Sequence, residues 1–464
     1  MTSEKFRYQL RQEAQKWQNE GLISSDIYEE LSVRYKLEEL DMYAGNRFIV
    51  IVLGIGFILL GLGVITFVAA NWQVWSRTFR VLLLLSFLTA TNSVGFFWWK
   101  SENESKSRIG QGLLLLGALS LGANLGLMSQ MFHQTGSIYT LFFIWGLGVC
   151  GMAYGLRLTS LGLMAIILMA IAYFQGILYD NVWSVTDLGV LLQQMPIVVS
   201  LLFIPLAYYC RSRWIFGLSL ALIVFSLGRK ITGYLDVAHL SKTSIMPALV
   251  FILIPSLLWS YRDRLLFPNS DVKFDSISRK LAIFYLGSLF YFCSFGFWEY
   301  YLSTSRSGKF IDLTAISSLI PLTIFTIFSI WAWWELGTRR SNDLPWRLDR
   351  NSIYVGTTLL FLFCLIWFNF AVTPIGIAGT IIFNLLLFSL AIILINQSVK
   401  EGRRFNFWFG ILLAILQILS RMFEYNTDLI LKAIVLFICG IAAIMAGLWF
   451  ERNLNRQNFL NSQD

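Results

Sequence analysis

Asn124, Gln130, His133 and Gln134 lie close together in an otherwise apolar stretch, and they are the side chains whose types could do chemistry. They fall within Gly110 to Gly148, where two apolar segments are joined by Gln134-Thr135-Gly136. Ala123, Gly126, Gln130 and His133 follow one another at helical spacing, so Gln130 and His133 share a face with a narrow part of the helix. Asn124 stands about 120° around from Gln130. Amides and an imidazole are costly in hydrocarbon, so they face other helices or a wet cavity. Two chemistries fit: a polar pocket for a ligand or solute near the outer leaflet, or hydrogen-bonded glue to neighbouring helices. His133, near the outer end, is expected to be solvated and weak as a proton relay.

The elements that position these residues follow from composition. Hydrophobic residues make up 56% of 464 and charged residues 14%, where a soluble protein carries about 25% charged residues. Apolar runs long enough to cross a bilayer recur from Phe48 to Phe450. The expected fold is therefore all-α: a polytopic membrane bundle of about fourteen transmembrane helices. A small helical hairpin precedes it, with Phe6, Leu10, Ala14 and Trp17 on one helix and Ile27, Leu31 and Tyr35 on the next. Four parts result: residues 1–47 as the cytoplasmic hairpin, 48–156 as a glycine-rich four-helix subdomain, 157–450 as the remaining bundle of about ten helices, and 451–464 as a polar tail. The first span is read as Phe48–Ala70, the third as Gly112–Phe132 and the last as Leu429–Trp449. Trp214–Gly228 is the shortest. Pro205, Pro255 and Pro321 predict kinks, and residues 180–194 are expected along the outer interface.

Charge sets orientation. The net charge of +9 could suggest nucleic acid, but the basic residues sit in short loops between apolar runs. With the N-terminus inside, 27 of the 36 Lys and Arg fall in inner segments. That asymmetry is the positive-inside pattern, and it puts both termini in the cytoplasm. The polar first 47 residues do not read as a cleavable signal. Nucleic acid is not an expected partner. The bilayer is one, and the hairpin, through Trp17, Leu22, Ile23, Tyr28 and Tyr35, is the candidate surface for a cytoplasmic protein.

Small residues predict where helices touch. Gly54 and Gly61, Gly56 and Gly63, Gly122 and Gly126, and Gly151 and Gly155 recur at intervals of seven or four, which lets backbones approach closely. Asn92, Asn369, Asn384 and Gln417 are the other amides within apolar runs, each expected to make a packing hydrogen bond. No charged residue sits in the middle of a span; Arg421 and others near the ends are expected to snorkel.

Catalytic, cofactor and metal sites are not expected. The chain has two histidines and five cysteines, none in a metal-ligand spacing. Gly217-Leu218-Ser219-Leu220-Ala221 has the outline of a nucleophile elbow but lies in an apolar helix with no strand before it. The charged loop from Arg262 to Lys280 reads as a solvated loop opposite anionic lipid.

Trp17, Gly21-Leu22-Ile23-Ser24 and Tyr28 form one group of motifs, and Phe67-Val68-Ala69-Ala70-Asn71-Trp72 a second. Gly122-Ala123-Asn124, Gln130, His133, Gly136 and Trp145 form the third. Over roughly the first 155 residues this pattern resembles the predicted bacterial membrane proteins grouped as domain of unknown function 2157. The resemblance implies a multi-pass protein of the bacterial cytoplasmic membrane and supplies no activity. The expected role is a membrane scaffold or sensor that anchors the hairpin to a partner. The alternatives are a transporter or lipid-handling protein with its pocket on the third helix, and a membrane enzyme.

Overall fold

The computed structural model describes residues 4–35, 59, 66, 70, 72, 74–133, 136–179, 187–238, 246–268, 272–295, 313–338, 349–373, 375–424 and 428–460. Among them are seventeen helices and no strand. In order these are α1 (Glu4–Asn19), α2 (Ser25–Tyr35), α3 (Arg77–Trp99), α4 (Glu104–Met131), α5 (Ile138–Leu156), α6 (Thr159–Tyr179), α7 (Asp187–Gln193), α8 (Met195–Tyr209) and α9 (Arg213–Ala238). Then come α10 (Met246–Ser260), α11 (Asp263–Leu266), α12 (Asp275–Cys293), α13 (Leu313–Thr338), α14 (Arg350–Ala371), α15 (Ile377–Glu401), α16 (Arg404–Glu424) and α17 (Leu429–Leu460).

Ten of the described helices are long and apolar enough to cross a membrane: α3 to α6, α9 and α13 to α17. A helix meets all its backbone hydrogen bonds internally, which is why an apolar run becomes a helix in lipid. The apolar surface confirms the setting. Leu385, Ile381 and Ile392 on α15 are 64%, 56% and 55% exposed, and α17 exposes Ile430, Phe437, Ile444 and Leu448. A water-soluble monomer rarely leaves such a belt uncovered. This is an integral, multi-pass, all-helical membrane protein.

Helix ends follow local chemistry. Asn103 caps α4, accepting from the backbone N–H of Ser105 at 3.0 Å and of Lys106 at 3.4 Å. Capped there, α4 starts eight residues before the apolar run that marked the third span. α15 stops at Gly402, whose φ of +64° suits the left-handed end of a helix. α9 runs 26 residues, so Trp214–Gly228 is not a short span; the two shorter apolar helices are instead α8 and α10. Pro205, Pro255 and Pro321 lie inside α8, α10 and α13. α17 continues to Leu460, where a tail was expected; its 32 residues extend about 48 Å, beyond the ~30 Å hydrocarbon layer. Residues 187–193 form the short helix α7.

The chain divides into two compact units, residues 1–89 and 90–464. In the first, α1 and α2 are separated by a turn in which Gly21 takes φ +74°. The Leu22 N–H donates to the Trp17 carbonyl at 2.9 Å, and Ala14 is fully buried. In the second, one apolar core runs from Leu114 on α4 to Leu413 on α16, with Phe143, Phe203, Phe216, Phe290 and Phe383 at its centre. Phe407, Ile411 and Phe450 form a smaller cluster joining α16 to α17.

Candidate functional site

α4 carries the polar residues of the expected pocket, but they are not brought together. Asn124 is buried, 4% exposed, and its Nδ2 donates to the Ser120 carbonyl of its own helix at 2.8 Å. Its Oδ1 has no hydrogen-bond partner among the described residues. Gln130 and His133 are exposed at the end of the helix. His133 has left the helix, with φ +54° and Nδ1 3.3 Å from the Met131 carbonyl. Gln134 lies outside the described residues. Gln130 sits in the last turn of α4, which ends at Met131, so His133 lies beyond the helix and the helical spacing does not carry over to it.

Glycine packing is what holds this region. A Cβ on Gly122 would fall 2.3 Å from the Trp145 ring, and Trp145 Nε1 donates to the Ala118 carbonyl at 2.8 Å. Indole and glycine thus lock α5 against α4. A Cβ on Gly117 would meet the Asn92 amide at 2.5 Å, and one on Gly110 would meet the Trp99 backbone nitrogen at 2.2 Å. The pairing expected from spacing alone is corrected elsewhere. Gly126 makes only an ordinary contact with Leu141 at 3.9 Å, and Gly151 and Gly155 face open space. α5 instead packs through Gly146 and Gly148, against Met169 and Leu121. A four-residue interval puts two glycines on one face without saying which face meets a partner. Gly54, Gly56, Gly61 and Gly63 lie outside the described residues.

A stronger polar convergence lies where α12 ends, α15 begins and α16 ends. Gln417 on α16 is fully buried, and its Nε2 donates to Asn384 Oδ1 on α15. Asn384 Nδ2 donates to the carbonyls of Thr380, at 2.7 Å, and of Ser294 at the end of α12, at 3.2 Å. Arg421, one turn beyond Gln417, donates from Nη1 to that same Ser294 carbonyl at 2.8 Å. It also pairs with Glu424 and lies over the Phe295 ring at 4.2 Å. Its side chain is only 15% exposed, so Arg421 turns inward to its neighbours and does not snorkel. Three buried polar atoms here have no partner among the described residues: Gln417 Oε1, Thr380 Oγ1 and Arg421 Nε. Such atoms are expensive and mark a place where a water or a polar ligand would be stabilised. Asn369 is separate; its Oδ1 accepts from the Ile375 N–H at 2.9 Å and closes the turn between α14 and α15.

The loop from Arg262 to Lys280 is more than a solvated one. Asp263 is 9% exposed, and its carboxylate accepts from the N–H groups of Phe274 and Asp275 and from the Tyr208 hydroxyl. The Tyr261 hydroxyl lies 2.8 Å from that of Tyr208, and Phe267 stacks on Tyr208 with centroids 4.3 Å apart. A carboxylate saturated in this way fixes a chain reversal and ties the ends of α8 and α10 to the start of α12. On α1, α2 and the turn between them the residues expected to meet a partner are half-buried or exposed: Trp17 is 36% exposed and Leu22 70%, with Ile23, Tyr28 and Tyr35 half-buried; Ile27 beside them is 48% exposed.

The Trp145–Gly122 lock and the Gly21 turn fall in one stretch that is similar to a known family. Residues 15–162 match the model of the family described as Predicted membrane protein (DUF2157). The match meets the sequence resemblance in both family and region. No curated protein and no solved structure matches the chain. The matched residues reach from α1 to the start of α6, and the convergence at Ser294, Asn384, Gln417 and Arg421 lies wholly outside them. Reading apolar runs singly hid that convergence, although Gln417 and Arg421 stand one helical turn apart in the sequence and so share a face.

Proposed function

We propose that the protein is a non-enzymatic membrane scaffold or sensor, in which the bundle anchors a cytoplasmic helical hairpin that recruits a protein partner. The carrying observation is the hairpin's unspent apolar surface. α1 and α2 bury Ala14, yet Trp17, Leu22 and Ile27 stay exposed around a turn tied by the Trp17 carbonyl. So small a core contributes little stability alone, and docking would cover its aromatic and aliphatic residues. In this reading residues 1–47 form the hairpin, 48–156 a first subdomain, 157–450 the rest of the bundle and 451–464 a cytoplasmic end. The ten long apolar helices, the shorter α8 and α10, α12, and the run Phe48–Ala70 support fourteen spans. The bias of basic residues supports cytoplasmic termini, and the DUF2157 resemblance favours the inner membrane of a bacterium.

The test places a photo-crosslinking amino acid at Leu22 in cells. The expected result is one discrete protein adduct, lost on Trp17→Ala with Tyr35→Ala while the chain still inserts in the membrane. An adduct unchanged by that double substitution, or labelling of lipid alone, contradicts the proposal.

The convergence at Asn384, Gln417 and Arg421 favours a second reading, a transporter or lipid-handling protein with its polar pocket there and not on the third span. It requires that Gln417→Leu, at unchanged membrane abundance, alter cellular metabolites or lipids as deletion does. A profile identical to wild type removes it.

A further inference from the structure

Three helices enclose a groove separate from the polar convergence. α9 contributes Gly217, α12 contributes Lys280 and Phe284, and α16 contributes Phe405, Asn406 and Phe409, around a cavity of about 260 Å³. Its wall is aromatic: Phe405 and Phe409 lie parallel with centroids 6.3 Å apart, and Phe284 is 5.9 Å from Phe409. Gly217 leaves the floor open, since a Cβ there would meet nothing within 4 Å. Phe284 and Phe405 are 55% and 67% exposed, so the groove opens sideways to lipid and not into the core.

One end of the groove is cationic. Lys280 Nζ stands 5.9 Å from the Phe405 ring centroid, and no carboxylate pairs with it among the described residues. Asn406, in the first turn of α16, lines the same groove, while the neighbouring Arg403 and Arg404 are paired with Glu401 and Glu451, which leaves Lys280 as the cation that lines it. An ammonium and an amide beside an aromatic trough facing hydrocarbon match a ligand with a negative head and an apolar tail. A soluble anion would leave the trough unfilled, and a protein helix would leave the ammonium unmatched. We propose that this groove holds one anionic phospholipid, an acyl chain lying along Phe284, Phe405 and Phe409 and the phosphate on Lys280 and Asn406. The site does not depend on which face of the bundle is cytoplasmic. If that face is inner, the ligand belongs to the leaflet richer in anionic lipid.

The test uses the full chain reconstituted in nanodiscs of equal phosphatidylglycerol and phosphatidylcholine, extracted and weighed by native mass spectrometry. The expected result is one retained phosphatidylglycerol per chain. Lys280→Glu should lower its occupancy at least fivefold, Lys280→Arg should keep it, and Gly217→Leu, filling the floor, should remove it. Thermal unfolding of each variant near the wild-type temperature establishes that the fold is intact. Equal retention of the two lipids, occupancy unchanged by Lys280→Glu, or displacement of the lipid by millimolar inorganic phosphate would overturn the assignment. Both leaflets contain the anionic lipid, so failure here is separable from an inverted topology or a hairpin without a partner.

Discussion

The two ends of the membrane body solve the same problem differently. Between α3 and α6, helices close through missing side chains: Gly110 on the Trp99 backbone, Gly117 on Asn92, Gly122 on Trp145. The buried amide there, Asn124, returns a bond to its own helix. Among α12, α15 and α16, polar side chains cross from helix to helix, and one carbonyl, that of Ser294, accepts from both Asn384 and Arg421. Glycine contact relies on dispersion and tolerates no added atom. Polar crossing tolerates shape change but leaves buried atoms in need of partners. Depth of an amide in an apolar run therefore does not identify a site; crossing between helices does.

This contrast can be broken by substitution. The largest effect is expected for Gly110→Val, which drives a side chain into backbone that cannot yield. Overpacking of that kind costs about 3 kcal/mol, whereas Gly151→Val, facing open space, should leave unfolding in detergent unchanged. If both are tolerated, the N-terminal seam is not glycine-packed. Arg421→Ala comes next. It removes a charged donor from the Ser294 carbonyl and leaves Glu424 without this partner, a loss of about 2 kcal/mol; thermal unfolding within error of wild type would return Arg421 to a snorkelling role. The smallest effect is expected for Gln130→Ala with His133→Ala. Both residues are exposed, so the change in stability should stay within about 0.5 kcal/mol. A large loss would restore the third-span pocket.

Much of the fold is legible in the sequence, because membrane helices are written as length and apolarity. The turn at Gly21 and the Gly122 contact follow from residue type. What spacing could not supply is the rotation of each helix about its axis. Gly151 and Gly155 satisfied the small-residue interval yet point away from their neighbours, while Gly146 and Gly148, two residues apart, make the contacts. The same blindness hid the polar convergence. Asn384 and Gln417 are 33 residues apart, and only the packing of α15 on α16 brings them together. Arg421 was legible as cationic and near a helix end, but whether it reaches out to headgroups or in to Ser294 depends on a neighbour the sequence does not identify. Asp263 shows the point near a loop, where a charge in a charged segment is buried against the Tyr208 phenol and the backbone N–H groups of Phe274 and Asp275.

A double-mutant cycle tests most directly the claim that the polar work of the membrane body is done at α12, α15 and α16. Gln417→Leu and Asn384→Leu, singly and together, would be compared by unfolding of the full chain with the cycle for Asn124→Leu and Gln130→Leu. The account predicts a coupling of about 1 kcal/mol for the first pair and additivity for the second. Additivity at Gln417 and Asn384, with coupling at Asn124 and Gln130, would contradict it and return the site to the third span.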